Sequence, residues 1–111
     1  MIVDAENVRR SLWPNLGRDD LVALCGARAA AEGVDVIVVF DGPPPACVAP
    51  AGVFLAGEPG RSAEDLVVEL ARARPADGLV VVTSDRALRA RLPRGVEVVG
   101  GGRFARSLVR R

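Results

Sequence analysis

The 111-residue sequence contains no histidine and no lysine, so that all 15 of its basic residues are arginine. Without histidine there is no imidazole base, which excludes Ser-His-Asp and Cys-His nucleophilic sites and zinc sites of the histidine type. Without lysine, a P-loop and Schiff-base chemistry are excluded as well. Any catalysis by this chain must therefore come from its carboxylates.

Cysteine is scarce, and long apolar runs are absent. The two cysteines, Cys25 and Cys47, lack the C-x-x-C spacing of a metal site and do not indicate a disulfide scaffold. No apolar stretch approaches the roughly 20 residues that a membrane span needs, and the first apolar run is broken at Asp4, unlike a signal peptide. We therefore expect a reduced, cytoplasmic chain without a membrane segment.

Size and charge limit the remaining choices. Half of the residues are hydrophobic, which is enough for one compact domain over residues 1–111 but leaves little room for a second. With 15 basic and 14 acidic residues the net charge is +1, so the overall charge gives no signal for nucleic acid. A nucleic-acid surface would have to come from local clustering of arginines.

Short apolar runs alternate with helical patterns along the chain. The strand patterns lie at residues 1–3, 36–40, 53–56, 79–83 and 96–99, and the helical patterns at 18–32, 63–73, 86–92 and 103–111. Residues 9–17 and the proline-rich stretch 43–50 are predicted to be loops. Strands that alternate with helices predict an α/β fold, a three-layer α/β/α sandwich around a mostly parallel five-stranded sheet.

Acidic residues follow the predicted strands at corresponding places. Asp4, Asp41 and Asp85 end three of them, and Asp65, with Glu64 beside it, begins the helix after the third strand. In a parallel sheet the carboxyl ends of the strands share one edge, where such folds bind ligands. Clustered carboxylates repel one another unless a divalent cation neutralises them, and an all-oxygen ligand set favours Mg²⁺ or Mn²⁺. This chemistry is typical of phosphodiester hydrolysis.

Each acid also has a purely structural interpretation. Asp65 fits the capping box that begins with Ser62, Asp85 fits the first turn of a helix, and Asp41 before Gly42 fits an ordinary turn. Asp4 is the hardest to explain in this way, because a short buried strand gains nothing by ending in a carboxylate.

Three further features leave their role open. Asn7 could orient Asp4 or a metal-bound water, or could cap the following turn. Trp13 could stack on a nucleobase, although the lone tryptophan of a small domain is more often a core or loop anchor. The arginines of the last two helices could hold phosphates or form an ordinary solvated face.

These stretches together resemble a known family. VDAEN (3–7), VVFDG (38–42), SAEDLVVELA (62–71), VVTSDRALRA (81–90) and VVGGGRFAR (98–106) are similar to segments of the PIN-like nucleases, specifically of the NYN branch and its YacP-like proteins. The segments stand in family order over nearly the whole chain. The resemblance implies a PIN-like sheet of strand order 3-2-1-4-5.

The resemblance also implies a function, that of a divalent-metal-dependent endoribonuclease of the cytoplasm. Asp4, Asp65 and Asp85 would be the ligands of Mg²⁺ or Mn²⁺, with Asn7 and Asp41 as accessory catalytic residues. The RNA substrate would be held by arginines near the acidic edge, for which the candidates are Arg9, Arg86, Arg89 and Arg103.

The sequence departs from the family pattern in ways that leave alternatives open. Ala5-Glu6 replaces a frequent Gly-Tyr pair, and Arg89 stands where some relatives carry another acid. A non-catalytic module of the same fold that binds RNA or the ribosome is one alternative. A ribonuclease of the PIN toxin type is another.

Overall fold

The computed structural model describes residues 1–110, in which one sheet of five strands carries helices on both faces. The strands are β1 (Ile2–Asp4), β2 (Val36–Val39), β3 (Val53–Ala56), β4 (Val80–Val82) and β5 (Glu97–Val99). The helices are α1 (Ala5–Arg9), α2 (Arg18–Glu32), α3 (Ala63–Arg72), α4 (Arg86–Arg91) and α5 (Gly101–Val109).

The strand order is β3-β2-β1-β4-β5, and all four pairings are parallel. Val3 lies at the centre, in register with Val38 of β2 and Val82 of β4. Continuous runs of β-branched residues suit these central strands because both faces of the sheet are covered. The predicted α/β class, PIN-like arrangement and strand order are therefore confirmed.

Two hydrophobic cores lie on opposite faces of the sheet. Val3 and Val82 belong to the core beneath α1, α2 and α5. The neighbouring Ile2 and Val81 belong to the core beneath α3 and α4. Successive side chains of a strand point to opposite faces, so that two adjacent apolar residues serve both cores.

Most element boundaries agree with the sequence patterns. The predicted helix 18–32 is α2, which ends at Gly33 with a left-handed φ of 65°. Helix α3 begins after Ser62, whose hydroxyl accepts a hydrogen bond from the backbone N–H of Asp65. The last predicted helix, 103–111, begins earlier, at Gly101, and Arg111 lies outside the described residues.

Helix α1 is the element that the sequence pattern does not predict. The chain leaves β1 and enters α1 without an intervening loop, so that Asp4 is both the last strand residue and the N-terminal cap position of the helix. Five residues are too few to show a helical period. As a consequence, Asn7 lies on a helix directly above the carboxyl edge of the sheet.

No helix formed by residues 1–110 combines the length and the apolar character that crossing a membrane requires.

Candidate active site

A cavity of about 390 Å³ lies at the carboxyl edge of the sheet. Its lining is polar and half of the lining residues are acidic; they come from the ends of β1, β2 and β4, from α1 and from the start of α3. The lining residues are Asp4, Glu6, Asn7, Arg10, Ser11, Asp41, Ser62, Ala63, Glu64 and Asp85. We call this cavity the acidic pocket.

Asp4 lies at the floor of the acidic pocket, with only 8% of its surface exposed. The hydroxyl of Thr83, at the end of β4, donates a 3.0 Å hydrogen bond to its Oδ2. Burial raises the pKa of Asp4 to about 6; the Thr83 hydroxyl and the backbone amide of Asn7 oppose this rise, and the charge of Asp41 adds to it. Asp4 is thus a carboxylate whose negative charge the protein compensates poorly.

Asp41 follows β2 and reaches across to α3. Its Oδ1 accepts a 2.6 Å hydrogen bond from the backbone N–H of Ala63, in the first turn of that helix. The turn that carries Asp41 is held by a close approach of two loops, since a Cβ on Gly57 would lie 2.2 Å from the carbonyl oxygen of Gly42. Asp41 therefore has a turn and capping role and also lines the acidic pocket.

Asp85 combines two roles in the same way. Its Oδ1 accepts a hydrogen bond of 3.1 Å from the backbone N–H of Leu88, which makes it the N-cap of α4. Its own backbone N–H donates to the hydroxyl of Thr83, the residue that also bonds Asp4. Thr83 thus links the two acids that end β1 and β4.

Asn7 fixes the loop after β4 rather than Asp4 alone. Its Oδ1 accepts a 2.9 Å hydrogen bond from the backbone N–H of Ser84, and the Ser84 hydroxyl in turn accepts one of 2.7 Å from the N–H of Gly101. A Cβ at Gly101 would lie 2.1 Å from Oδ1 of Asn7. This close approach explains why a glycine begins α5.

Asp65, which the sequence predicts as a metal ligand, does not line the acidic pocket. It occupies the third position of α3, where its backbone bonds Ser62 and its exposed side chain pairs with Arg91 at 2.9 Å. Consecutive residues of a helix point about 100° apart, so the neighbour Glu64 faces the pocket instead. Glu64 itself is half-buried and lies 3.5 Å from Arg91.

Arg9, a predicted RNA contact, makes two contacts within the protein. Its side chain is 19% exposed, forms an ion pair with Glu6 and donates a 2.8 Å hydrogen bond from Nε to the carbonyl of Leu16. Through these contacts the Arg9 side chain closes the loop that follows α1. The arginine of this loop that lines the pocket is Arg10, with a 68% exposed side chain 3.7 Å from Glu6.

The other three candidate RNA contacts lie apart from the pocket lining. Arg86 and Arg89 are exposed on α4, which starts directly after Asp85. Arg103 faces a different cavity, between α2, α5 and β5, together with Arg28 and Glu97. The Arg103 side chain is therefore not part of the acidic pocket's lining, whereas α4 begins directly at that edge.

A divalent metal suits the chemical character of the pocket, but a complete ligand set is not preassembled. All the acidic side chains of the lining offer oxygen, which matches Mg²⁺ or Mn²⁺. Among residues 1–110, however, no three acidic or cysteine side chains come close enough together to hold a metal ion. Glu64 pairs with Arg91, and Asp41 and Asp85 each direct one oxygen to a backbone amide.

Four residues around this site are not among those predicted from the sequence: Glu6, Arg10, Thr83 and, as the pocket acid of α3, Glu64. Thr83 can be recognised in the sequence, because it is a hydroxyl residue at the end of an otherwise apolar strand pattern. Glu6 is held by Arg9, Arg10 and Arg18, a convergence that depends on the undetected helix α1.

The strand order and the helices on both faces of the sheet match a PIN-like α/β fold. No protein-family model matches the sequence, and no curated protein matches it. The structure is similar to the crystal structure of Rae1 (YacP) from Bacillus subtilis, solved as the W164L mutant, with a TM-score of 0.72. The two chains share 22% sequence identity over 96% of this chain and 74% of that one, which shows a YacP-like fold.

Proposed function

We propose that the protein is a divalent-metal-dependent endoribonuclease whose active site is the acidic pocket. The observation that carries this proposal is the convergence of acids from four separate elements around a buried Asp4. The fold is compatible with it, because PIN-like sheets place their site at this edge, as the resemblance of the sequence motifs implied. The proposal extends to RNA as the substrate, as the same resemblance implied.

In this proposal Asp4 and Asp85 hold Mg²⁺ or Mn²⁺, and Glu64 takes the place that the sequence analysis gave to Asp65. Asn7 keeps the loop of Asp85 in position through Ser84, and Asp41 orients the start of α3. The metal would supply a water activated for attack on the phosphodiester and would stabilise the leaving oxygen. Glu64 must exchange its contact with Arg91 for the metal.

Cleavage of a labelled single-stranded RNA in Mn²⁺ tests the proposal. We expect activity in the natural chain and its loss in Asp4→Asn and Asp85→Asn. We expect both changes to preserve the fold. Asparagine is also a good N-cap at position 85, and a neutral amide at position 4 removes a poorly compensated charge. Asp65→Asn is the matched control and should retain activity. Cleavage that survives both pocket substitutions would refute the assignment.

A second candidate function is a non-catalytic RNA-binding module with the same fold. The absence of a preassembled three-acid group among residues 1–110 and the pairing of Glu64 with Arg91 favour it. It predicts RNA binding that weakens steeply with salt but no turnover in Mn²⁺. The cleavage assay therefore separates the two candidates.

A further inference from the structure

The single tryptophan of the chain, Trp13, is 91% exposed. Its loop is anchored by other residues, since Leu12 and Leu16 pack against the hydrophobic core on either side of it. Trp13 is thus not the loop anchor that a lone tryptophan most often is. An indole left in water forgoes a large gain from burial, so its exposure needs another explanation.

The loop that carries Trp13 starts at the wall of the acidic pocket and is closed at its base. Its base is closed by two hydrogen bonds between Arg9 and Leu16, of 2.8 Å from the Arg9 Nε to the Leu16 carbonyl and of 3.1 Å from the Leu16 N–H to the Arg9 carbonyl. The hydroxyl of Ser11 donates a 2.6 Å hydrogen bond to the carbonyl of Asn7. Because Arg10 and Ser11 line the pocket, Trp13 stands only two residues beyond its wall.

The charge beside Trp13 indicates the kind of partner. Arg10 is mostly exposed and lies 3.7 Å from Glu6, too far for a direct hydrogen bond, so its guanidinium can turn toward a phosphate. A planar aromatic side chain and an exposed arginine in the same loop are the combination with which proteins hold single-stranded nucleic acid. Pro14 and Asn15 beside Trp13 are also exposed, so the neighbouring loop residues leave the indole accessible.

We propose that Trp13 stacks on an unpaired base of single-stranded RNA while Arg10 binds the adjoining phosphate, which guides the strand into the acidic pocket. This inference rests on the proposed function in placing RNA at the pocket, but it does not require cleavage. It makes the loop of residues 10–16 the surface that selects unpaired over paired RNA, because a base within a duplex is not free to stack on a side chain.

Because Trp13 is the sole tryptophan, its fluorescence reports on its own contacts. The test titrates the full chain, in EDTA to prevent cleavage, with a single-stranded RNA oligomer and with an abasic oligomer of equal length. Without metal, the acidic pocket could repel RNA. The same titration is therefore repeated with Asp4→Asn, which removes one acidic charge from the pocket. We expect saturable quenching by the RNA and little quenching by the abasic strand.

Substitutions then measure the contribution of stacking, with binding followed by the fluorescence anisotropy of a labelled RNA because these variants contain no tryptophan. Trp13→Ala should weaken binding of the RNA by about 5- to 150-fold and leave binding of the abasic strand nearly unchanged, while Trp13→Phe should restore most of the affinity. Equal RNA affinity for Trp13→Ala and the natural chain, or no RNA binding at all, would overturn the inference. Quenching and affinity loss without cleavage in Mn²⁺ would support it and refute only the nuclease assignment.

Discussion

The hydroxyl of Thr83 donates a 3.0 Å hydrogen bond to Oδ2 of Asp4, joining the carboxyl ends of β4 and β1 inside the protein. Both side chains are buried, and the same hydroxyl accepts a hydrogen bond from the backbone N–H of Asp85. One threonine therefore sets the spacing of the two acids on which the proposed site depends.

Replacing Thr83 should weaken both the fold and the site. Thr83→Val keeps the shape but leaves the Asp4 carboxylate and the Asp85 N–H without this partner, at an expected cost of about 1–3 kcal/mol in the free energy of unfolding. Thr83→Ser keeps the hydroxyl and should cost less. Urea unfolding of both variants checks this, and equal losses in the two would show that the hydroxyl plays no part.

The pKa of Asp4 predicts an unusual dependence of stability on pH. Its folded pKa of about 6 lies above its unfolded value of 3.8, so the folded state binds the proton more tightly. The stabilisation from this bound proton is fully present below the unfolded pKa of 3.8 and is lost as the pH rises through about 6. The difference between the two pKa values corresponds to about 3 kcal/mol. Urea unfolding in EDTA should show this loss in the natural chain relative to Asp4→Asn. A constant difference between the two between pH 4 and 7.5 would contradict it.

Binding of a divalent metal should restore the stability that is lost when Asp4 ionises. If Mn²⁺ binds the folded chain at Asp4 and Glu64, it should raise the melting temperature at neutral pH in a concentration-dependent way. Glu64→Gln should reduce the increase, whereas Asp65→Asn, changed at the adjacent exposed position, should not. A larger effect of Asp65→Asn than of Glu64→Gln would mean that the acid first expected from the sequence is the ligand.

Two neighbouring glycines provide a matched test of the Asn7 contact. Gly101→Ala would place a Cβ 2.1 Å from Oδ1 of Asn7, so we expect a destabilisation of about 1–3 kcal/mol. Gly102→Ala meets the flexible end of Arg106 at 3.3 Å and Ser11 Cβ at an ordinary contact distance of 3.8 Å, and should be neutral or stabilising because alanine favours a helix. Thermal unfolding distinguishes them, and similar behaviour of the two variants would show that the close approach is unimportant.

Much of the fold was predictable because its signals are local. The β-branched run 36–40 indicated a buried strand, and Gly33 and Ser62 mark helix ends through backbone conformation and capping. The alternation of strands and helices then predicted a mostly parallel sheet. The strand order came from the resemblance to a family, since no local signal contains it.

The candidate site was predictable only in outline. That Asp4, Asp41 and Asp85 share an edge follows from parallel topology, and all three line the acidic pocket. The choice between Glu64 and Asp65 depends on the rotation of α3, which is set by its capping by Ser62 and by its packing on the sheet. In the same way, neither the burial of Arg9 nor the exposure of Trp13 could be predicted, because both depend on the five-residue helix α1 and the loop that follows it.

The most direct test of the account is a crystal of the protein soaked in Mn²⁺, examined by anomalous scattering at the manganese edge. We predict a peak in the acidic pocket within coordination distance of Asp4, with Asp85 and Glu64 as further ligands and the contact between Glu64 and Arg91 broken. A pocket that stays empty at millimolar Mn²⁺, with Glu64 still paired to Arg91, would contradict the proposal that this is a metal-dependent site.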